Sequence, residues 1–324
     1  MSPSTPPSAR LVAVTGATGF IGRHLVVALA AAGWQLRLLL RREPDVPEWR
    51  SLRPQVVAGD LGDAAALARL VDGADAVIHL AGLIKAARRH QFFAVNHDGA
   101  VRLAGIARQG APDARFVHVS TIAAREPGLS DYAASKRAGE DAVVEILGGR
   151  ASVLRPPVVY GPGDRETLVF FQLARRRLVP LLGRPDARAA VIHVADLVDL
   201  LVRLLEQPRG GAVLTAADAR PQGYRWRDVL TAAANAVGNP APRFVQAPGA
   251  LLRGVAAIGD VARAFGSATM LSSQKLRELR HEDWSVAPEE LARLPGWTPR
   301  FDLNSGFADA AAWYRAAGWL PGLG

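Results

Sequence analysis

The chain has 324 residues and a mass of 34.4 kDa, room for one large or two coupled domains. Hydrophobic residues make up 49% and charged residues 21%, which excludes a chain disordered as a whole, and the lack of cysteine excludes disulfides, thiolate metal sites and thiol nucleophiles. Net charge is +9, and of 39 basic residues only Lys85, Lys136 and Lys275 are lysines, leaving 36 arginines.

A sequence pI near 10.8 invites a nucleic-acid reading. The arginines are scattered, however, and their densest run, Arg175-Arg176-Arg177, lies in an apolar helical context. The expectation is a basic surface with no nucleic-acid partner. The segment Met1–Arg10 is rich in Pro and Ser and lacks an apolar core, so it is expected to be a disordered tail and not a signal peptide. Arg253, Asp260 and Arg263 interrupt the apolar stretch Ala250–Leu271, which argues against an integral membrane segment. A soluble, cytoplasmic protein is the default.

From Leu11 to Pro162, short β-branched runs alternate with Ala/Leu-rich helical segments. Strands are predicted at Leu11–Thr15, Gln35–Leu40, Gln55–Ala58, Ala76–Leu80, Arg115–Ser120 and Ser152–Arg155. Helices are predicted at Ile21–Ala32, Ala64–Val71, Phe92–Gln109 and Tyr132–Leu147. Repeated βα units require crossovers, so the strands should be parallel, with the sheet covered on both faces. After Pro162 the rhythm changes. Helices are predicted at Glu166–Leu178, Val194–Gln207, Arg227–Val237, Ala250–Phe265 and Leu303–Ala316, with one strand at Ala212–Thr215. The expected division is a tail (1–10), a doubly wound α/β domain (11–164) and a smaller, mostly helical substrate lobe (165–324). Parts of that lobe, such as 190–216, are candidates to return to the first domain.

The first strand runs into Thr15-Gly-Ala-Thr-Gly-Phe-Ile-Gly22 and then a helix. Gly16 permits a tight turn, Gly19 lets backbone approach a pyrophosphate, and Gly22 lets helix pack on strand. The helix N-terminus offers free N–H groups to phosphates. With 31 glycines this spacing arises by chance about 0.3 times, so its position in the first βα unit carries the weight. The second strand ends in Arg41-Arg42, where a site for NAD would place an acidic residue on the ribose 2′-hydroxyl. Arginine there suits a 2′-phosphate, so NADP(H) is favoured over NAD(H).

Tyr132 and Lys136 stand four apart at the start of a helix, on one face. A phenol is a poor base near neutrality, and an ammonium beside it lowers its pKa. That pair suits proton exchange during hydride transfer at a carbinol or carbonyl. With four tyrosines and three lysines, chance placement gives this spacing only about 0.04 times.

On these residues the chain resembles the short-chain dehydrogenase/reductase superfamily, in its extended branch, the NAD-dependent epimerase/dehydratase family. Further matches are Gly59-Asp60-Leu61, His79-Leu-Ala-Gly82, Asn96, Ser120-Thr121, Arg155-Pro-Pro-Val-Val-Tyr-Gly-Pro-Gly163 and His193-Val-Ala-Asp196. The resemblance implies a Rossmann fold. It also implies cofactor contacts from Gly16, Thr18, Gly19, Phe20, Ile21, Gly22, Arg41, Arg42, Asp60, Leu61, Ala81 and Gly82, and from Pro156–Val159 through backbone. By the same resemblance Tyr132 is the acid/base and Lys136 holds the nicotinamide ribose. Asn96 organises the lysine's proton relay, and Thr121 polarises the substrate oxygen with Ser120 as support.

Two departures stand out. Only ten residues separate Thr121 from Tyr132, whereas extended members carry a longer loop that walls a sugar substrate, and the arginine pair resembles reductase-type members. The expected activity is hydride transfer between NAD(P)(H) and a secondary alcohol or ketone. The alternatives are a nucleotide-sugar epimerase or dehydratase with retained NAD, and a catalytically silent cofactor-binding protein. A homodimer through Phe92–Gln109 and Tyr132–Leu147 is implied by resemblance alone.

Several other residues have structural expectations. His79, His118 and His193 show no metal-ligand spacing and are expected to be structural, and Asp196 is expected to be an N-cap. The tryptophans cluster late, at Trp226, Trp284, Trp297, Trp313 and Trp319, as lobe packing or an apolar substrate pocket. The stripe Leu251, Leu252, Val255, Ile258, Val261 and Phe265 reads as lobe core, with a lipid channel or membrane-surface contact as the sharper alternative.

Overall fold

A computed structural model describes residues 10–42, 45–184, 186–207, 211–264 and 272–321. The N-terminal tail before Arg10, together with Glu43 and Phe265, falls outside the described residues.

Seven parallel strands form the central sheet. They are β1 (Leu11–Thr15), β2 (Gln35–Leu40), β3 (Gln55–Ala58), β4 (Ala76–His79), β5 (Arg115–Val119), β6 (Ala151–Arg155) and the late strand Val213–Thr215. The order across the sheet is Val213–Thr215, β6, β5, β4, β1, β2, β3. The chain therefore reverses direction between β1 and β4, the switch point at which a doubly wound sheet opens a crevice. The strands β1 and β4 are buried along their whole length, as their unbroken apolar runs require.

On one face, α1 (Phe20–Ala31) packs with the helix Val194–Leu204 over Val12, Val14, Leu38 and Ile78. On the other, α2 (Ala64–Val71), α4 (Gly99–Gly110) and α5 (Asp131–Leu147) cover Ala13, Val77 and Phe116. The segment predicted as one helix over Phe92–Gln109 is three pieces: α3 (Arg89–Phe93), a π turn over 94–98, and α4. The wide turn carries Asn96, a local distortion frequent at functional sites.

The second half contains more strand than its sequence pattern predicts. Glu166–Leu178 is helical only over Leu168–Ala174, and Leu178 instead opens a strand (Leu178–Leu181) that pairs in parallel with Arg243–Gln246. Arg188–Ala189 pairs with Tyr224–Arg225 and Asp283–Trp284. These strands are two to four residues long, too short for alternation to be legible. The predicted helix Leu303–Ala316 is found at those bounds, capped by Asp302. Asp196 is not an N-cap. His193 caps that helix, accepting from Ala195 N, while Asp196 accepts from the amides of Arg300 and Phe301 and so ties the C-terminal segment to the sheet.

The helix α5 is fixed to the sheet by a buried ion pair. The Arg155 Nε lies 2.9 Å from Glu140 Oε1, and its Nη2 lies 2.6 Å from Oε2. Both side chains are buried. Removing the carboxylate strands a desolvated guanidinium, so Glu140→Ala should lose about 3–5 kcal/mol of unfolding free energy in urea titration.

Candidate active site

A cleft of ≈ 550 Å³ runs from the β1–α1 turn to the C-terminal lobe. Gly16, Gly19, Phe20, Ile21, Gly22 and Gly82 line one end. Thr121, Tyr132, Pro157, Val158 and Val159 line its middle. Trp226, Trp284 and Leu279 line the lobe side.

The glycine end has the shape of a cradle. Gly16 sits at φ +76°, and a Cβ there would come 2.5 Å from Ala81 N. A Cβ on Gly22 would strike the Gly16 carbonyl. Side chains are thus excluded where α1 begins, and the first amides of α1 face the cleft without a side-chain cap. Such an N-terminus accepts a pyrophosphate. A Cβ on Gly82 would lie 3.3 Å from Asn96 Oδ1 and 3.7 Å from Lys136 Nζ, so the chain crosses the cleft there as bare backbone. The residues fit a dinucleotide on this evidence.

Other expected cofactor residues sit at the rim. Thr18 is exposed, and its carbonyl accepts from Arg23 Nε. Arg41 and Arg42 are exposed at the end of β2, with no partner among the described residues. Asp60 is exposed, with Oδ1 accepting from Gly62 N at 2.7 Å. Leu61 packs against Gly99, and its carbonyl accepts from Arg102. Ala81 N is held 3.3 Å from Thr15 Oγ1. The Pro156 carbonyl is taken by Ile122 N at 2.9 Å, so Pro157–Val159, rather than Pro156, face the cleft.

Thr121 and Tyr132 line the cleft together, and the Thr121 hydroxyl acts to lower the pKa of the phenol. Thr121 Oγ1 also accepts from Ala123 N and caps the short turn Ile122–Arg125. Ser120 is buried, and its hydroxyl finds no partner among the described residues, whereas Thr121 lines the cleft with Tyr132. Burial pushes the Tyr132 phenol up to about 12, opposed by the Thr121 hydroxyl, and the Glu278 charge adds to the rise. The sequence pair implied a lowered phenol. The structure differs because burial outweighs any stabilisation of the phenolate, while the Lys136 Nζ donates to the Val119 carbonyl at 2.8 Å. Burial lowers the Lys136 ammonium to about 8, and Glu140 partly opposes this. Asn96 is buried with its amide spent on Leu83 N, Leu83 O and Ser135 Oγ, and it makes no direct bond to Lys136.

The short loop between Thr121 and Tyr132 is covered from the far end of the sequence. Arg125 donates to the carbonyls of Ser285 and Asp283, Asp131 N donates to Gln274, and Ser130 donates to Glu278. Glu278 is buried and also accepts from Lys275 Nζ at 2.8 Å. Gln274, Lys275, Glu278 and Arg263 thus form a polar group in the cleft beside Tyr132. Sequence reasoning missed all four. Lys275, one of three lysines, was the available signal. Among the described residues no cluster of potential ligands could hold a metal.

The sheet order, the glycine cradle and the cleft define an NAD(P)-dependent enzyme of the short-chain dehydrogenase/reductase type. The chain belongs to the NAD dependent epimerase/dehydratase family, whose pattern matches residues 12–216. It is 48% identical over 316 residues to a ceramide reductase of Caulobacter vibrioides, covering 96% of each chain. It is 29% identical to sterol demethylase protein B of Methylococcus capsulatus, over 95% of this chain and 99% of that one. Its fold is similar to a solved putative epimerase from Burkholderia cenocepacia J2315, with TM-score 0.73 and 22% identity over 96% and 100% of the chains. It is also similar to MoeE5 in complex with UDP-glucuronic acid and NAD, with TM-score 0.70 and 24% identity over 95% and 99%.

Beneath the site, His79 and His118 stack with ring centroids 5.2 Å apart, and His79 Nδ1 lies 2.7 Å from Thr15 Oγ1. Burial, then the Lys136 charge, lowers His79 from 6.5 to about 3 and holds His118 well below its usual value. Both are neutral in the fold but take up protons when it opens. Their stabilising contribution is therefore full above 6.5 and is lost as pH falls toward 3. Unfolding free energy should decline between pH 6.5 and about 5, above the usual carboxylate range, and His79→Gln should flatten that decline in urea titrations.

Proposed function

We propose that this chain reduces a ketone on a long-chain, ceramide-type lipid and prefers NADPH as the hydride donor. The observation that carries the reaction is that Thr121 and Tyr132 line the same cleft as the glycine cradle. The substrate class is supported by 48% identity, through nearly the whole of both chains, to a protein named ceramide reductase. An apolar wall supports it too: Ile84, Phe92, Ile122, Phe170, Trp226 and Trp284 offer a surface for hydrocarbon rather than for a sugar nucleotide. Gln274, Lys275 and Arg263 supply donors for the lipid's polar end.

Gly16, Gly19 and the first turn of α1 would hold the pyrophosphate, with Arg41 and Arg42 at the 2′-phosphate and Asp60 and Leu61 beside the adenine. Gly82, Lys136 and Val159 would border the nicotinamide. When bound, the nicotinamide supplies a hydride to the carbonyl carbon. Thr121 donates to the carbonyl oxygen, and Tyr132 gives its phenolic proton to that oxygen as the C–H bond forms. A phenol held near 12 is protonated throughout the neutral range, the state that reduction requires. The Lys136 ammonium steadies the phenolate left behind and, from beside Asn96, returns a proton to it from water.

NADPH oxidation with a detergent-dispersed ceramide-type ketone tests this reading. Tyr132→Phe should lower kcat by about 10²–10⁴-fold and Thr121→Val by about 10²–10³-fold, and an active Tyr132→Phe enzyme would overturn the mechanism. Because Lys136 is cationic only below its value of about 8, kcat/KM should fall as pH rises through 8. The double variant Arg41→Ser/Arg42→Ser should raise KM for NADPH by roughly tenfold or more while leaving that for NADH unchanged.

A further inference from the structure

The helix Gly249–Ala264 places its faces against the usual rule. Its inner side carries small and polar residues. Ala256 and Gly259 are buried, Asp260 accepts from Ser273 N at 3.1 Å, and Arg263 lies 3.7 Å from Asp131. Its outer side is apolar. Leu251 is 61% exposed, Ile258 72% and Val261 58%, with Val255 exposed between them. Leu251, Val255 and Ile258 recur at steps of four and three, so they form one stripe along the outside. A helix that buries its polar groups and shows its aliphatic ones is not explained by packing among the described residues.

The neighbouring ribbon continues this surface. In the parallel pair Leu178–Leu181 and Arg243–Gln246, Leu178 lies opposite Arg243, and Val245 follows on the same side. Leu178 and Val245 are both exposed. Apart from the inward Asp260, the charges on these elements have a single sign. Segments 168–184 and 239–259 contain Arg175, Arg176, Arg177, Arg184, Arg243 and Arg253 and no Asp or Glu. Arg184 pairs with Glu282. The other five have no ion-pair partner among the described residues, and all five are exposed.

We infer that this face docks on an anionic phospholipid bilayer. An aliphatic stripe flanked by unpaired arginines is complementary to an interface that offers hydrocarbon below and phosphate above. A protein partner would have to bring acidic groups ringed around an apolar groove, and a second copy of this chain would set arginine against arginine. The helix lies in the surface and does not span it, since no helix among the described residues is long and apolar enough to cross a membrane. Its inner residue Arg263 lines the cleft, so the docking helix also borders the site. The inference stands on the exposed face and its charge, and is independent of the proposed reaction.

Sedimentation of the purified full chain with vesicles provides the test. The chain should pellet with vesicles containing phosphatidylglycerol, much less with phosphatidylcholine alone, and high salt should release it. Ile258→Asp, a change at an exposed position, should weaken vesicle binding by about tenfold with an unchanged thermal unfolding midpoint. Should that variant melt early, Arg176→Ser/Arg253→Ser tests the same face through charge and should also weaken binding to anionic vesicles. No pelleting with anionic vesicles at low salt would overturn the inference. So would equal pelleting by wild type and folded variants, or a wild-type dimer that Ile258→Asp splits. None of these outcomes would touch the reductase reading, which is measured in detergent.

Discussion

The geometry of the site depends on how closely α5 is drawn onto the sheet. The buried Glu140–Arg155 pair anchors its middle, and Gly139 lets the helix backbone press against the Asn96 carbonyl, where no Cβ could fit. One turn earlier Lys136 reaches the Val119 carbonyl, and two turns earlier Tyr132 lines the cleft with Thr121. A helix seated even slightly higher would lose these contacts together. The pair is costly to desolvate, and its bidentate geometry specifies the seating of the helix rather than adding much net stability.

That seating has electrostatic consequences. Lys136 lies in a dry pocket over two neutral histidines, and the same burial that depresses its ammonium also keeps the imidazoles uncharged. Tyr132, half-buried at the cleft, is a neutral proton donor, so burial raises it. Burial thus pulls the two groups toward a protonated phenol and a readily deprotonated amine, a polarity suited to delivering a proton to a carbonyl oxygen.

The lobe completes the cleft with residues distant in sequence. The short Thr121–Tyr132 loop leaves space that the segment 272–290 fills through Ser130–Glu278 and Arg125–Ser285. The expected apolar pocket is realised in part. Trp226 and Trp284 line it, Trp297 belongs to the main core, and Trp319 stacks on Tyr314. Of the stripe read as lobe core, Leu251, Val255, Ile258 and Val261 face solvent, because hydrophobic periodicity fixes that a helix has an apolar face but not which way that face points.

By itself the sequence determined the alternation of strands and helices through Arg155, the glycine turn, and the Tyr132/Lys136 pair. Each of these is local: a period, a φ above zero at Gly16, a spacing of four on one helix. Only the tertiary structure decided that Thr121 rather than Ser120 lines the cleft with Tyr132, that Val213–Thr215 is the seventh strand, and that Gln274, Lys275 and Glu278 line the same cleft. Those results depend on pairings across up to about 150 residues, as between Ser130 and Glu278, and on burial, which sets each pKa by what surrounds a side chain and not by its neighbours in sequence.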